Sequence, residues 1–311
     1  MKIESLETLA KQHEEQERRA GFHAEATSYA KTREDIFARL AKRDRKGTTI
    51  FLKGISAFKY FSDRERGAFL ENYYAAMRHI DDVVDGDVSL PEGYESAAQY
   101  VQEKIDFIET GRLPRDEIEK ILALSFKMAT EFKADFKQES RDILYSLLFD
   151  AKRHGTHNVF DENTLHDHFF ALDIRGTIRG DLKIFGEDPD LYQILEPLGE
   201  AVRIYYNLRD FRDDIKAGLV NISSEDCKRL NISKRELIGN YYENHPGVYA
   251  WFKEQAEKGL ALIEEYHRKR KGVKFKPATE VALKLYFENK EKVFLTAVAS
   301  GKFEKILVKA A

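Results

Sequence analysis

The sequence has one cysteine, Cys227, so it can form no internal disulfide framework and no cysteine-based zinc site, a composition suited to a reducing compartment. Prolines number only six, and no apolar run approaches the roughly 20 residues needed to span a bilayer. Strand-type alternation is also missing, and long stretches of helical period take its place. An excess of charge of either sign is lacking as well, because 51 basic and 54 acidic residues nearly cancel to a net charge of -3. Such a balance excludes the broad basic surface of a nucleic-acid binder, so any anion site must be local. The opening residues, MKIESLETLAKQHEEQERRA, are charged from the start and do not resemble a signal peptide. The expected location is cytoplasmic, at most with peripheral membrane contact through the basic run HRKRKGVKFK.

What is present is enough for a sizeable core: 42% apolar residues and 12% aromatics in 311 residues. Residues 1–45 read as a charged helical extension, with Gly47-Thr48-Thr49 as a break, and residues 46–311 as one all-α domain. Helical period predicts helices from about Arg64 through Val84, then over 94–110, 115–132, 138–153, 162–185 and 191–216. Further helices are predicted over 233–244, 248–269 and 279–300, and Gly218 has the position of a C-cap glycine.

Two acidic runs stand out, RHIDDVVD at 78–85 and YYNLRDFRDD at 205–214. In a helix, Asp81 and Asp85 lie one turn apart on one face, as do Asp210 and Asp214. An isolated aspartate pair is ordinarily solvated charge. Here both pairs sit in apolar helices, where acids repel one another unless a cation relieves them, and each has an arginine beside it, Arg78 and Arg209. Carboxylates of this kind suit Mg²⁺, and guanidinium groups suit phosphate oxygens, so the predicted chemistry is metal-assisted departure of diphosphate beside an apolar cavity.

These runs resemble the paired motifs of the squalene/phytoene synthase family, in their order and separation. The second continues as LGEAVRIYYNLRDFRDDIKAGLVNISSED, and the likeness extends from about Phe51 through VYAWFKEQAEKGLALIEEY and LKLYFENKEKVFLTAVASGKF. The resemblance implies an all-α isoprenoid synthase fold around a central apolar cavity, Mg²⁺ as cofactor, and farnesyl or geranylgeranyl diphosphate as substrate. It implies Asp81, Asp85, Asp210 and Asp214 as metal ligands and Arg78 and Arg209 as diphosphate contacts. In place of the family's serine-rich diphosphate segment stands FLKGIS, with Lys53 as its anion contact. Other positions depart from the pattern. Tyr206 replaces an asparagine, with Asn207 one place off, Arg203 replaces a glutamine, Phe170 replaces a tyrosine, and Arg179 replaces a glycine.

Phe170 removes a hydroxyl, and Arg179 places a cation where a prenyl tail would pack. Arg175, Arg179 and Arg203 either receive a polar or anionic co-substrate or pair with Asp173, Asp181 or other local acids as structural bridges. Three functions follow: condensation of two prenyl diphosphates, prenyl transfer to a polar or anionic acceptor, or a non-catalytic binding or assembly role. His154, His157, His166 and His168 show no zinc spacing and are expected as exposed loop residues, whereas Trp251 and Cys227 are expected in the core.

Overall fold

The structure is a computed structural model that describes residues 29–43, 47–239, 241–286 and 289–302. Among these there is no β-strand, only a single parallel bridge between Asn158 and Leu219. The all-α prediction is met. The chain divides into two compact units, one formed by residues 1–79 and 113–133 and the other by 80–112 and 134–311.

In the first unit lie α1 (Ala30–Arg43), α2 (Gly47–Phe61), the greater part of α3 (Arg64–Val84) and α5 (Glu117–Glu131). Residues 1–28, most of the predicted extension, fall outside the described residues. Gly47, expected to break the chain, instead begins α2. α2 and α3 approach so closely that a Cβ on Gly67 would stand 2.4 Å from the Lys59 Cα, which only glycine permits. The aromatic stripe predicted on α3 packs as expected: Tyr74 meets Phe51 at 4.7 Å, and Phe69 meets Phe132 edge-on at 5.5 Å.

The second unit takes up the end of α3 and adds α4 (Ala97–Thr110), α6 (Lys137–Arg153), α7 (Glu162–Phe169) and a π-helix (Phe170–Ile178). It continues with α8 (Arg179–Phe185), α9 (Tyr192–Arg209), α10 (Phe211–Lys216), α11 (Ser224–Arg229) and α12 (Lys234–Ile238). It ends with α13 (Pro246–Lys269), α14 (Pro277–Tyr286) and α15 (Asn289–Ala299). Short polar side chains set several starts. Ser96, Asp116 and Asp161 each accept a bond from the backbone N–H three residues on, and Ser233 with Glu236 forms a capping box before α12.

α9 and α13 form the centre of this unit, and the core between them gathers Ile204, Leu208, Phe211, Ile222, Trp251, Phe252 and Leu295. Burying each such side chain is worth about 1.5–3 kcal/mol, so this cluster anchors α9 firmly. Trp251 and Cys227 are buried as predicted. Three predicted helices are interrupted. The stretch 162–185 contains the π-helix, the stretch 191–216 breaks at Asp210, and 233–244 is two short pieces. The predicted closing helix is α14 and α15, with 287 and 288 outside the described residues.

Candidate active site

The second acidic run lies at the junction of α9 and α10, beside the core that includes Leu208, Phe211 and Ile215. Asp210 interrupts the helix with φ -94° and ψ 1°, yet Asp210 N–H still donates to Tyr206 C=O and Asp214 N–H to Asp210 C=O, both at 2.9 Å. The one-turn spacing of Asp210 and Asp214 therefore survives the break. Arg209 grips Asp210 with both Nε, at 2.6 Å, and a terminal nitrogen, while its guanidinium lies over the Tyr206 ring at 4.6 Å. Asp214 has no such cation. Burial and the neighbouring Asp210 push its carboxyl up to about 7, and one oxygen accepts from Asn221 Nδ2 at 2.9 Å.

The run ends as predicted. Gly218 adopts φ +77°, and Leu219 N–H closes back onto the Asp214 carbonyl at 2.8 Å. In the first run Asp85 N–H donates to Asp81 C=O at 2.9 Å, so that pair is also one turn apart, just past the end of α3. Asp81 is half-buried, Asp85 is exposed, and Asp82 between them is deeply buried. Arg78, half-buried on α3, and Lys53, exposed on α2, belong to the first unit.

A cavity of about 140 Å³ opens next to the second run. Phe170, Asp173, Arg203, Asn207, Asn221 and Trp251 are among its lining residues. Apolar and polar side chains share the lining, where an apolar cavity is implied by the family likeness. Phe170 and Arg203, two of the positions that depart from the family pattern, are on this lining. Tyr206 is not among its lining residues but packs against the cluster around Leu198, Val202 and Tyr266, with the Arg203 guanidinium 5.9 Å from its ring.

The arginines take the structural alternative. Arg203 clasps Asp173 through two bonds of 2.6 and 2.7 Å, with its guanidinium 4.6 Å from the Phe169 ring centroid. Burial alone would lower its pKa, but the Asp173 carboxylate outweighs that and raises it. Arg175 stands 3.3 Å from Asp142, and Arg179 lies 3.6 Å from Glu139, outside the cavity lining. Asp181 is not the acid they use: burial pushes its carboxyl up to about 7, and it lines a small apolar pocket with Leu182, Leu195 and Leu283.

Sequence reading missed one member of this region. His168 is buried on α7, not exposed in a loop, with Nδ1 2.8 Å from Ser146 Oγ and Nε2 3.2 Å from Asp150. Burial pushes the Asp150 carboxyl up, but His168 and Arg153 together outweigh this and hold it at about 2. The spacing of Ser146, Asp150 and Arg153 along α6, one face of a helix, is the signal that could have revealed it.

Among the described residues, no three His, Cys, Asp or Glu side chains gather as a preformed metal cluster. Mg²⁺ does not require one, since it is usually held by one or two carboxylates together with substrate phosphates and water. Asp214 fits that role: it is an oxygen donor whose negative charge is opposed by burial and by a second carboxylate, so a divalent cation would relieve it.

The described residues form an all-α fold, with one aspartate pair at the end of α3 and another bridging α9 and α10. The same fold is found in two solved proteins. Squalene synthase HpnC from Alicyclobacillus acidocaldarius superposes with a TM-score of 0.61 at 18% identity, over 90% of this chain and 98% of that one. A dehydrosqualene synthase solved in complex with ligand gives a TM-score of 0.53 at 17% identity, over 88% of this chain and 86% of that one. No family model matches the sequence, and no curated protein matches it. The chain thus shares the fold of these two proteins at low sequence identity.

Proposed function

We propose that this protein is a Mg²⁺-dependent prenyltransferase that ionises an isoprenyl diphosphate and releases diphosphate, in the manner of a squalene or phytoene synthase. The observation that carries the reading is the carboxylate pair Asp210 and Asp214, retained one turn apart on this fold, with Asp214 lacking a neutralising cation of its own. Asp81, Asp85, Asp210 and Asp214 would hold the metal, which when bound would neutralise charge on the departing diphosphate. Arg209 is the proposed phosphate contact within the second unit. For Arg209, binding phosphate means exchanging its bidentate grip on Asp210 for one on the substrate, a substitution of one oxyanion for another that guanidinium geometry allows.

One observation favours a variant of this reading, transfer of the prenyl group to a polar acceptor. The cavity beside the second run presents Asn207, Ser223 and Gln255, while its arginine is already neutralised by Asp173. That lining suits an uncharged polar acceptor better than an anionic one.

The test is incubation of the full chain with labelled farnesyl or geranylgeranyl diphosphate and Mg²⁺, followed by assay of diphosphate and products. Release that falls at least about 100-fold in Asp214→Asn supports ionisation at this pair, a loss typical of removing a charge-stabilising group. A symmetrical C30 or C40 hydrocarbon assigns condensation, and a prenylated polar product assigns the variant. No diphosphate release from either substrate would overturn the proposal.

A further inference from the structure

We infer that Asn221 is a positioning residue for Asp214, and that a buried polar spine on α6 and α7 fixes it in that role. This rests on the reading of Asp214 as a metal ligand. Asn221 is fixed by its neighbours in sequence, since Val220 and Ile222 on either side are fully buried in the core. Its side-chain amide is held at both ends: Oδ1 accepts from Arg153 at 2.8 Å, and Nδ2 donates to Asp214 at 2.9 Å. The direction of the amide is determined, because arginine only donates and a carboxylate only accepts.

Arg153 is itself immobilised. It is 3% exposed, donates from Nε to Asp150 Oδ1 at 2.7 Å and to the Val220 carbonyl at 3.3 Å, and lies over the Phe149 ring at 5.3 Å. Asp150 is in turn 3.2 Å from His168, whose other nitrogen meets Ser146. Ser146, Asp150 and Arg153 come from one face of α6, so a single rigid helix carries most of the spine.

The order of the chain has a chemical consequence. An arginine placed directly on Asp214 would orient it but would also neutralise it, leaving little need for an external cation. Interposing an amide transmits the position of the arginine without placing it in direct ion-pair contact with the carboxylate. Asn221 also lines the cavity, so the same amide joins the metal side of the site to the acceptor side.

The experiment measures Mn²⁺ binding to the full chain by EPR titration, with no substrate present, in wild type, Asn221→Ala, Asp214→Asn and the double variant. Outer-sphere partners of metal ligands typically matter by about 10–100-fold, so Asn221→Ala is expected to weaken Mn²⁺ by that factor while its melting temperature stays within about 3 °C of wild type. In the Asp214→Asn background the same change is expected to have no further effect. Asn221→Ser, which keeps a hydroxyl donor, is the second variant and is expected to fall between wild type and Asn221→Ala. Wild-type Mn²⁺ affinity in either folded variant would overturn the positioning role and leave the proposed function standing. An undiminished effect of Asn221→Ala in the Asp214→Asn background would also overturn it. Failure of the wild-type protein to bind Mn²⁺ would overturn the positioning role, and the diphosphate-release assay then decides the proposed function separately.

Discussion

Replacing Arg203 with methionine tests whether its cation belongs to the fold or to a ligand. The side chain makes two short bonds to Asp173, both partners are about one-fifth exposed, and the Phe169 ring covers one face of the guanidinium. Two unit charges about 4 Å apart attract by roughly 4 kcal/mol at an effective dielectric near 20, and desolvation of both groups offsets much of this in the intact pair. Removing one partner is different, because it leaves the Asp173 carboxylate facing a low-dielectric wall with no counter-charge. Breaking a buried pair costs about 3–5 kcal/mol, and partial exposure here places the expected loss near 3 kcal/mol. For a chain of this size that corresponds to a fall in melting temperature of roughly 5 °C. The second half of the test is Arg203→Met combined with Asp173→Leu, which removes the stranded charge and should recover most of the loss. Thermal and urea denaturation of the wild type, the single variant and the double variant measure it. A single variant as stable as wild type, or a double variant no better than the single, would refute the assignment of Arg203 as a structural bridge.

Asp181 gives a pH prediction whose sign follows from linkage. Its carboxyl is raised to about 7 by burial, so between about 4 and 7 the folded state binds more protons than the unfolded state, and stability falls as pH rises through that window. Raising the carboxyl from its ordinary value to about 7 sets an upper bound of roughly 4 kcal/mol at pH 8, and Asp181→Asn should recover part of it and flatten the urea-denaturation profile across this window. An unchanged profile would refute the assignment. At Gly218, φ +77° and a Cβ that would lie 2.5 Å from the Gly155 backbone leave no room for a side chain; Gly218→Ala should lose at least about 2 kcal/mol in urea denaturation, and the backbone neighbour offers no cheap relief.

The sequence was most informative where one helix carries its own pattern. The stripe of α3, the aspartate pairs and the glycine at 218 are all local: a helical period or a left-handed turn is written in adjacent residues, and each appears in the structure. His168 was illegible for the opposite reason. Its partners, Ser146 and Asp150, are on another helix, and four histidines in a short polar stretch have the composition of a loop. The arginines were legible as charges needing partners, but Asp142 and Glu139 are more than thirty residues upstream of Arg175 and Arg179, so no spacing rule could select them over Asp181. Tyr206 and Arg203 are three positions apart and do adjoin, with the guanidinium 5.9 Å from the ring, yet only Arg203 is among the cavity's lining residues, because Tyr206 packs against the cluster around Leu198 and Val202.

The π-helix over 170–178 changes what helical spacing means downstream of it. Thr177 Oγ1 bonds the carbonyl of Leu172, five residues back, in step with the wider winding. A π-helix takes more residues per turn than an α-helix, so each turn sets later side chains progressively behind the phase that an α-helix would give them. Phe170, at its start, keeps α-helical phase with α7 and faces the cavity, whereas Arg179, at its end, emerges toward Glu139. The segment therefore acts as a phase shifter between two α-helices. Shortening or lengthening it by one residue would leave the α7 side of the cavity in place while turning every side chain of α8 to a different neighbour, a route by which one insertion could alter what lies around the site without altering the acidic pairs.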